Sequence, residues 1–494
     1  MPITRRSLLN SAAVTSMTFA LNETKAFARV PPKPPNIIFV LADDLGYADV
    51  SCYGPSAMHT PNIDRIAAGG VRFLQAYANS AVCSATRTAL ITGRYQYRLR
   101  LGLEEPLAGA GKTVGLPPEV ATLPSQLKKL GYGTTLIGKW HMGELPKFGP
   151  LKSGYDHFYG FRGGALDYYS HQGTDHHDDL WDDDVAIHQM GYLTELFGDR
   201  AVDVIDRYAK SYTTSKQPFF LSLHFNAPHW PWEAPGDQAE SDRLAKSSLF
   251  DFDGGNLQTY RRMVQAMDAQ IGRILRTLES RGIADDTIVV FTSDNGGERF
   301  SNTWPFTGKK TELLEGGLRI PAVIRWPARI KAGRTHDQVM ASMDWMPTLL
   351  AAAGGAPDPA YPSDGISLLP ALAQGAAPVP RKLFWRYKAN AQRASRDGDW
   401  KILKILDQTF LFNVVEDPLE RANLRDRHRD IYDRMVAQWT EWNKDMLPEV
   451  RESFTDSFDG THLADHFGAQ KASGSPDVDS DWPEPKSTPT PTPK

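Results

Sequence analysis

The chain has 494 residues, of which 41% are hydrophobic and 10% aromatic, so it can bury a large core and is neither disordered nor fibrous. Its formal net charge of −4 excludes the basic balance of a nucleic-acid-binding protein, and no nucleic-acid partner is expected. Two cysteines, Cys52 and Cys83, exclude a disulfide-rich scaffold and a multi-thiolate metal site. No uninterrupted run of about 20 apolar residues predicts a membrane span, so no stable membrane association is expected.

The first 28 residues are predicted to be an export signal. Arg5 and Arg6 precede a weakly apolar stretch, and Ala26-Phe27-Ala28 fits a small-residue cleavage site. The string Thr-Arg-Arg-Ser-Leu-Leu resembles a twin-arginine signal, which predicts the twin-arginine export machinery as a partner. The working compartment would then be the bacterial periplasm or the exterior. The alternative is a short membrane anchor or a frayed helix.

Continuous apolar runs bounded by turn signals predict strands that are covered on both faces, as in a mostly parallel sheet. These runs are 36–42, 134–137, 218–224, 286–291 and 321–325. Helix-like stretches between them cover 62–68, 123–130, 198–210 and 260–280. The alternation predicts an α/β fold in which helices sandwich a large, mostly parallel sheet.

A smaller C-terminal α+β domain with a short antiparallel sheet is predicted after residue 375. Residues 367–380 are rich in Ala, Pro and Gly and indicate a boundary. Short strands are predicted over 382–387, 400–405 and 409–414, followed by a closing helix over 430–442. We therefore expect a catalytic domain over 29–375, a C-terminal subdomain over 376–467 and a disordered tail over 468–494.

Two of the predicted strands are each followed by a pair of oxygen-bearing side chains. Asp43 and Asp44 follow the first strand, and Asp294 and Asn295 follow the strand at 286–291. Ligands of α/β sheets gather at the carboxyl ends of strands. Three carboxylates and one amide oxygen suit a hard divalent cation such as calcium or magnesium. Each pair alone is also compatible with an ordinary turn.

Residues 83–94 read Cys-Ser-Ala-Thr-Arg-Thr-Ala-Leu-Ile-Thr-Gly-Arg, which predicts a helix that stops at Gly93. Cys83 would lie at its N-terminus, where the backbone N–H groups favour an anion. Arg87 would lie one turn further along, on the same face.

This segment resembles the signature of the sulfatase family, Cys (or Ser)-x-Pro (or Ala)-x-Arg followed after four residues by Thr-Gly-Arg. Every fixed position matches, with Ala85 as the alternative to proline. The resemblance covers nearly the whole mature chain. It includes Asp43-Asp44, Gly-Lys139-Trp-His141-Met-Gly, Ala-Pro-His229, Ser-Asp294-Asn295-Gly, the segment 310–317 and Leu411-Phe-Asn through Asn423-Leu424. The family implied is that of the formylglycine-dependent, arylsulfatase-like type I sulfatases of the alkaline phosphatase superfamily.

The resemblance implies that Cys83 is converted to Cα-formylglycine by a maturation enzyme that acts on the unfolded chain. The resemblance also implies one divalent ion, calcium, which would be held by Asp43, Asp44, residue 83, Asp294 and Asn295. Without the surrounding motif, Cys83 would be read as a buried inert thiol or as the partner of Cys52 in a disulfide.

The resemblance also assigns roles to basic residues. Arg87 would hold the nucleophile position, Lys139 would neutralise sulfate charge and His141 would be the base that regenerates the aldehyde. Spacing alone places Lys139 and His141 on one side of an extended chain. His229 would address the leaving-group oxygen, and Lys310 would bridge sulfate and leaving group. Two lysines are adjacent in this segment, so Lys309 remains the alternative to Lys310.

These residues together predict a sulfatase that hydrolyses sulfate monoesters of a carbohydrate or an aryl compound. The alternatives are a formylglycine-dependent phosphonate monoester or phosphodiester hydrolase and a catalytically silent binder of sulfated glycans. Trp230, Trp232 and Trp304 are candidates for stacking on a substrate ring or for packing. The acidic, histidine-rich residues 167–184 are read as a surface loop near the cleft, with a second metal site as the alternative.

Overall fold

A ten-stranded sheet forms the centre of the protein. The computed structural model describes residues 33–54, 58–109, 111–251, 253–449, 460–462 and 482. The predicted export signal and nearly all of the predicted C-terminal tail lie outside the described residues. The strands of this sheet and of two smaller sheets are β1 (Asn36–Ala42), β2 (Val71–Phe73), β3 (Ala76–Tyr77), β4 (Gly133–Lys139), β5 (His157–Phe161), β6 (Trp181–Asp182), β7 (Val185–Ala186), β8 (Phe219–His224), β9 (Thr287–Ser293), β10 (Ala322–Arg325), β11 (Arg334–His336), β12 (Met340–Ala341), β13 (Lys382–Tyr387), β14 (Gln392–Asp397), β15 (Trp400–Ile405) and β16 (Gln408–Asn413).

Helices cover both faces of this sheet. Over all the described residues, the helices are α1 (Pro61–Ala68), α2 (Cys83–Thr92), α3 (Leu123–Lys129), α4 (Leu193–Ser215), α5 (Gln238–Leu244), α6 (Leu257–Ser280), α7 (Glu315–Leu318), α8 (Trp345–Ala352), α9 (Leu369–Gln374) and α10 (Arg429–Asn443), of which α10 packs on a smaller sheet. Within the described ranges, no helix combines the length and the apolar composition that crossing a bilayer requires.

The strand order of the large sheet is β11-β2-β10-β9-β1-β8-β4-β5-β6-β7. The five central strands, from β9 to β5, are all parallel, as predicted. Antiparallel pairs occur toward the edges, where β10 runs against both β9 and β2 and the β5-β6-β7 strands form a meander. The strand β10 corresponds to the predicted run 321–325, whereas β2, β6, β7 and β11 are only two or three residues long, which is too short to produce a recognisable apolar run. The five-residue strand β5 was not predicted either.

Alternate residues of β1 pack into two different hydrophobic cores. Ile38 and Val40 belong to the core beneath α4 and α6, whereas Ile37 and Phe39 belong to the core beneath α3 and α8. Because side chains alternate across a strand, a strand covered on both faces must be apolar at every position. This explains the continuous apolar run that identified β1 in the sequence.

The C-terminal region forms a separate four-stranded antiparallel sheet in the order β13-β14-β15-β16. Three of its strands and α10 match the prediction within one residue at each end, while β14 was not predicted. One face packs against α10 through residues such as Ile402 and Trp439. The other face, including Leu403, shares a core with Ala85 and Ala89 of α2. The small sheet therefore supports the helix that begins at Cys83.

Candidate active site

The two pairs of oxygen-bearing side chains, Asp43-Asp44 and Asp294-Asn295, meet at the carboxyl ends of β1 and β9. They meet because these strands are parallel neighbours in register, with Ala42 opposite Ser293. Asp44 N donates to Asp294 Oδ1 at 3.2 Å, and Asn295 Nδ2 donates to Asp44 Oδ1 at 2.7 Å. The chain turns sharply after the strand, since Asp44 has a φ of 63°.

This cluster has the donor set of a divalent-cation site. Asp43, Asp44 and Asp294 each offer a carboxylate oxygen, and these atoms lie within 4.8 Å of one another. Asp43 Oδ1 and Asn295 Oδ1 are buried and accept no hydrogen bond from the described residues. Burial and the charge of Asp43 raise the pKa of Asp294 to about 7. A hard cation would relieve this repulsion and satisfy the two oxygens, so the residues fit calcium or magnesium.

Two buried cations flank the acidic cluster. Arg87 donates to Asp294 Oδ2 through Nε at 3.1 Å and through Nη2 at 2.8 Å, and Nη2 lies 3.4 Å from Asp43 Oδ1. Lys139, the last residue of β4, donates through Nζ to Asp43 Oδ2 at 2.6 Å. All four side chains are excluded from solvent, so their charges act at short range and with little screening.

Cys83 is the first residue of α2, and Gly93 ends that helix at a φ of 66°, as predicted. The Cys83 Sγ lies 3.3 Å from His141 Nδ1 and interacts electrostatically with Lys139, Lys310 and the acidic cluster. Burial raises the pKa of the Cys83 thiol, although the two lysines oppose the shift. The unmodified side chain is therefore a neutral thiol at neutral pH, which is a weak nucleophile.

His141 is oriented as a base toward residue 83. Its Nε2 lies 2.8 Å from the Leu107 carbonyl oxygen, and since a carbonyl only accepts, Nε2 carries the proton and Nδ1 keeps a lone pair. Burial and the charge of Lys139 lower the pKa of His141 well below its usual value. The expected extended chain is wrong here, because His141 has a φ of 55°. A turn after β4, rather than strand alternation, brings its ring to Cys83.

His229 lies in the loop after β8, beside Asp44 of the acidic cluster. Its Nδ1 lies 2.6 Å from the Trp230 carbonyl oxygen, and its Nε2 lies 3.6 Å from Asp44 Oδ2. Burial and the nearby Lys310 lower the pKa of His229 to about 3. The Trp230 ring contacts the imidazole at 4.6 Å between centroids and contacts Phe250 at 5.4 Å. Phe250 is 50% exposed, so an aromatic surface leads from His229 toward solvent.

The structure distinguishes the two adjacent lysines. Lys310 is buried, and its Nζ donates to Asp44 Oδ2 at 2.6 Å. Lys309 is only half-buried, and its backbone N–H donates to Glu312. Of the two lysines, Lys310 is therefore the one whose ammonium group reaches the acidic cluster.

The sequence reasoning missed two side chains of this site. His224, the last residue of β8, approaches Arg87 Nη1 through Nδ1 at 3.5 Å. Glu298 lies beside Lys310 at 3.5 Å. His224 could have been found because it ends a strand in the middle of the sheet, whereas Glu298 follows a glycine turn and gave no comparable signal.

Other sequence candidates lie outside this cluster. Cys52 and Cys83 are both free, so the alternative of a disulfide between them is wrong. Both candidate metal clusters found among the described residues lie at the site above, and neither draws on residues 167–184. Trp232 is buried against Phe300, whereas Trp304 is 55% exposed.

A family model described as Sulfatase matches residues 35–356, well over half of the chain. The chain belongs to the sulfatase family. The resemblance inferred from residues 83–94 is thereby confirmed, as is the predicted fold class. A second model, described as N-sulphoglucosamine sulphohydrolase, C-terminal, matches residues 306–445 of this sulfatase.

Characterised proteins show the same relationship. Human N-acetylgalactosamine-6-sulfatase is 34% identical over 393 residues, which cover 75% of this sulfatase and 71% of the relative. Human arylsulfatase A is 31% identical over 443 residues, covering 83% and 82% of the two chains. The crystal structure of Ps i-CgsB in complex with k-i-k-neocarrahexaose is 30% identical, with a TM-score of 0.74 and coverage of 84% and 94%. The protein is a sulfuric ester hydrolase.

Proposed function

We propose that this sulfatase hydrolyses sulfate monoesters of a carbohydrate, with Cα-formylglycine at residue 83 as the source of the nucleophile and one calcium ion. Asp43, Asp44, Asp294 and Asn295, together with residue 83, would hold the ion. The observation that carries the proposal is the position of Cys83, buried at a helix N-terminus 3.3 Å from His141 Nδ1 and beside the acidic cluster.

The proposed modification answers a chemical need of this site. A neutral buried thiol cannot attack a sulfate ester efficiently, whereas a hydrated formylglycine supplies a hydroxyl nucleophile and a second hydroxyl that allows sulfate to be expelled. Calcium would supply positive charge where the anionic sulfate must bind. Asp43, Asp44, Asp294 and Glu298 carry one more formal charge than Arg87, Lys139 and Lys310, so a divalent ion would make the proposed site positive and attractive to an anion.

The side chains near Cys83 suit the nucleophile end of the reaction. Arg87 and Lys139 both converge on the acidic cluster, where they would bind sulfate oxygens. His141 presents the Nδ1 lone pair to residue 83 and stays neutral, so it can accept a proton from a hydroxyl there. The role of His141 follows from the tautomer that the Leu107 carbonyl fixes.

His229 and Lys310 suit the leaving-group end. Both lie against Asp44 Oδ2, at 3.6 Å and 2.6 Å respectively. A charged ammonium at this point would donate a hydrogen bond to the oxygen on which negative charge develops as the sulfur–oxygen bond breaks. The His229 imidazole is held in place by its contact with the Trp230 carbonyl.

A carbohydrate is the substrate class favoured by the surroundings of the site. Trp230 and Phe250 form an aromatic surface that begins at His229 and reaches solvent, and such surfaces bind the apolar faces of sugar rings. Human N-acetylgalactosamine-6-sulfatase is a relative named for a sugar substrate. Turnover of defined sulfated sugars, compared with turnover of nitrophenyl sulfate, tests the choice of a carbohydrate substrate. Turnover of nitrophenyl sulfate alone would reject it.

Mass spectrometry of the protein from its native host tests the modification. Trypsin releases residues 73–87, and we expect residue 83 in this peptide to have lost sulfur and gained an aldehyde oxygen. Cys52 provides an internal control, because it lies in a different peptide and should remain a thiol that iodoacetamide alkylates. An alkylated Cys83 in active enzyme would contradict the proposal.

Kinetics test the reaction class and the choice of lysine. We expect faster hydrolysis of nitrophenyl sulfate than of nitrophenyl phosphonate, whereas the reverse order would favour the phosphonate hydrolase alternative. Cys83→Ala should abolish turnover and leave the fold intact. Lys310→Ala should lower kcat by about 100-fold or more. The matched variant Lys309→Ala should change kcat by less than about 3-fold.

We also propose that residues 1–28 direct twin-arginine export to the periplasm or exterior. Export of a folded chain is compatible with aldehyde formation before folding. Replacement of Arg5 and Arg6 by lysine should retain the protein in the cytoplasm, and the exported form should begin at Arg29.

Exposed residues 376–380 follow α9 and support a boundary between a catalytic domain over 29–375 and a subdomain over 376–467. Limited proteolysis of the whole protein should cut there first.

A further inference from the structure

Glu298 is a buried carboxylate beside the site to which neither the motifs nor the proposed mechanism gives a role. It lies three residues after Asn295, and its side chain is only 4% exposed. Its Oε2 lies 3.5 Å from Lys310 Nζ. Burying a carboxylate is costly unless it meets a positive charge, so the ion pair with Lys310 accounts for its presence here.

The position of Glu298 is at the leaving-group end of the site. Glu298, Asp44 and His229 each present an atom within 4.8 Å of the others, and Lys310 contacts both carboxylates. Because it lies between two buried carboxylates, at 2.6 Å from Asp44 and 3.5 Å from Glu298, the lysine is an ammonium, whose three N–H groups exceed the two that these contacts engage.

We propose that Glu298 is a positioning residue that aims the Lys310 ammonium at the leaving-group oxygen. The proposal rests on the proposed function, in which Asp44 is a metal ligand. Oxygens of Asp44 that bind a cation are less able to restrain Lys310 as well, which leaves Glu298 as the carboxylate that fixes the ammonium. A lysine side chain is long and flexible, so a second anchor holds Nζ where its remaining N–H reaches the substrate.

The expected consequence depends on the leaving group. As the sulfur–oxygen bond breaks, its electron pair passes to the leaving oxygen, which Lys310 stabilises by a hydrogen bond. A nitrophenolate needs little of this stabilisation, whereas a phenolate or a sugar alkoxide needs much more. A side chain that only supports the fold would affect all esters alike.

The test compares wild type with Glu298→Gln in the matured, calcium-loaded enzyme. The probes are nitrophenyl sulfate, phenyl sulfate and galactose 6-sulfate. We expect kcat to fall by about 3-fold on nitrophenyl sulfate and by about 100-fold on the ester with the poorest leaving group that wild type hydrolyses. Glu298→Asp should recover part of the loss. The control is Glu312→Gln, which removes a carboxylate on the Lys309 side of the same loop. Any change that it causes in kcat should be the same for every ester.

Two further measurements separate positioning from other roles. In a Lys310→Ala background, Glu298→Gln should have no further effect, because the coupling between the two residues is complete. The calcium affinity, measured by calorimetry, should be unchanged. Equal losses on all esters, additivity with Lys310→Ala or weakened calcium binding would each overturn the proposal. If Glu298→Gln does not fold, Glu298→Asp carries the same comparison, and failure of wild type to release sulfate from any probe would instead refute the proposed function.

Discussion

Lys401 connects the C-terminal sheet to the loop that carries Lys310, and its replacement by methionine tests the strength of that connection. Its Nζ lies 3.0 Å from Glu315 Oε1 and 2.9 Å from Glu420 Oε1, and none of the three side chains is exposed. Glu315 begins α7, five residues after Lys310. Its other carboxylate oxygen accepts hydrogen bonds from Arg319 and from a tyrosine of β3.

The expected cost follows from the burial of the two carboxylates. Arg319 still neutralises Glu315 in the Lys401→Met variant, but among the described residues the Glu420 carboxylate keeps only the hydrogen bond that it accepts from Glu315 N. Removing one partner of a buried ion pair costs about 3–5 kcal/mol. At roughly 2.1 cal/mol/K per residue, the entropy of unfolding for 494 residues is about 1 kcal/mol/K, so Tm should fall by about 3–5 °C.

The loss should depend on pH. Burial raises the pKa of Glu420 to about 7, and Lys401 opposes this shift. Without Lys401, the pKa of Glu420 in the folded state rises further. The folded variant then keeps a proton that the unfolded chain has released. The stability that this bound proton gives the variant is fully present below the pKa that Glu420 has in the unfolded state. It is lost as the pH rises through the pKa that Glu420 has in the folded state. The Tm deficit should therefore be larger at about pH 8 than at about pH 5.

Thermal unfolding followed by circular dichroism measures this effect. The control is Lys444→Met, because Lys444 pairs with Glu441 at 2.6 Å while both side chains are more than 60% exposed. Exposed pairs contribute about 0–1 kcal/mol, so Tm should change by less than about 1 °C. The reasoning is refuted if Lys401→Met unfolds no earlier than Lys444→Met, or if its deficit grows toward low pH.

Three further predictions concern the site. Gly138→Ala should prevent folding or cost more than about 3 kcal/mol, because a Cβ there would lie 1.8 Å from the His224 carbonyl oxygen in the neighbouring strand; Gly131→Ala, also at positive φ but with open space around it, should cost about 1–2 kcal/mol in denaturant titrations. Chelation with EDTA should abolish hydrolysis and lower Tm, and calcium should restore both; a Tm unaffected by chelator would argue against an ion at the three aspartates. Phe250→Ala should raise KM about 10-fold for a sulfated oligosaccharide and leave KM for nitrophenyl sulfate within about 2-fold, so an equal rise for both would contradict the aromatic surface beside Trp230.

Four of the five central strands of the large sheet, β1, β4, β8 and β9, were predictable from their mostly apolar runs, whereas β5 was missed. The runs that identify β1 and β9 reflect burial on both faces, and the residues that follow them were placed correctly at strand ends. Apart from β10, the short outer strands were not predictable, and neither was β14. The β14 sequence, Gln-Arg-Ala-Ser-Arg-Asp, is polar because its side chains meet partners from distant segments, such as Arg396 with Tyr77.

The residues that can take part in chemistry were identifiable from local patterns, namely a twelve-residue motif and two pairs of oxygen-bearing side chains at strand ends. How those residues face one another depends on the folded chain. The tautomer of His141, the distinction between Lys309 and Lys310 and the presence of Glu298 at the site all depend on contacts between segments far apart in the chain. Such contacts are set by which strands become neighbours and by how each loop turns after its strand, and neither property leaves a local pattern in the sequence.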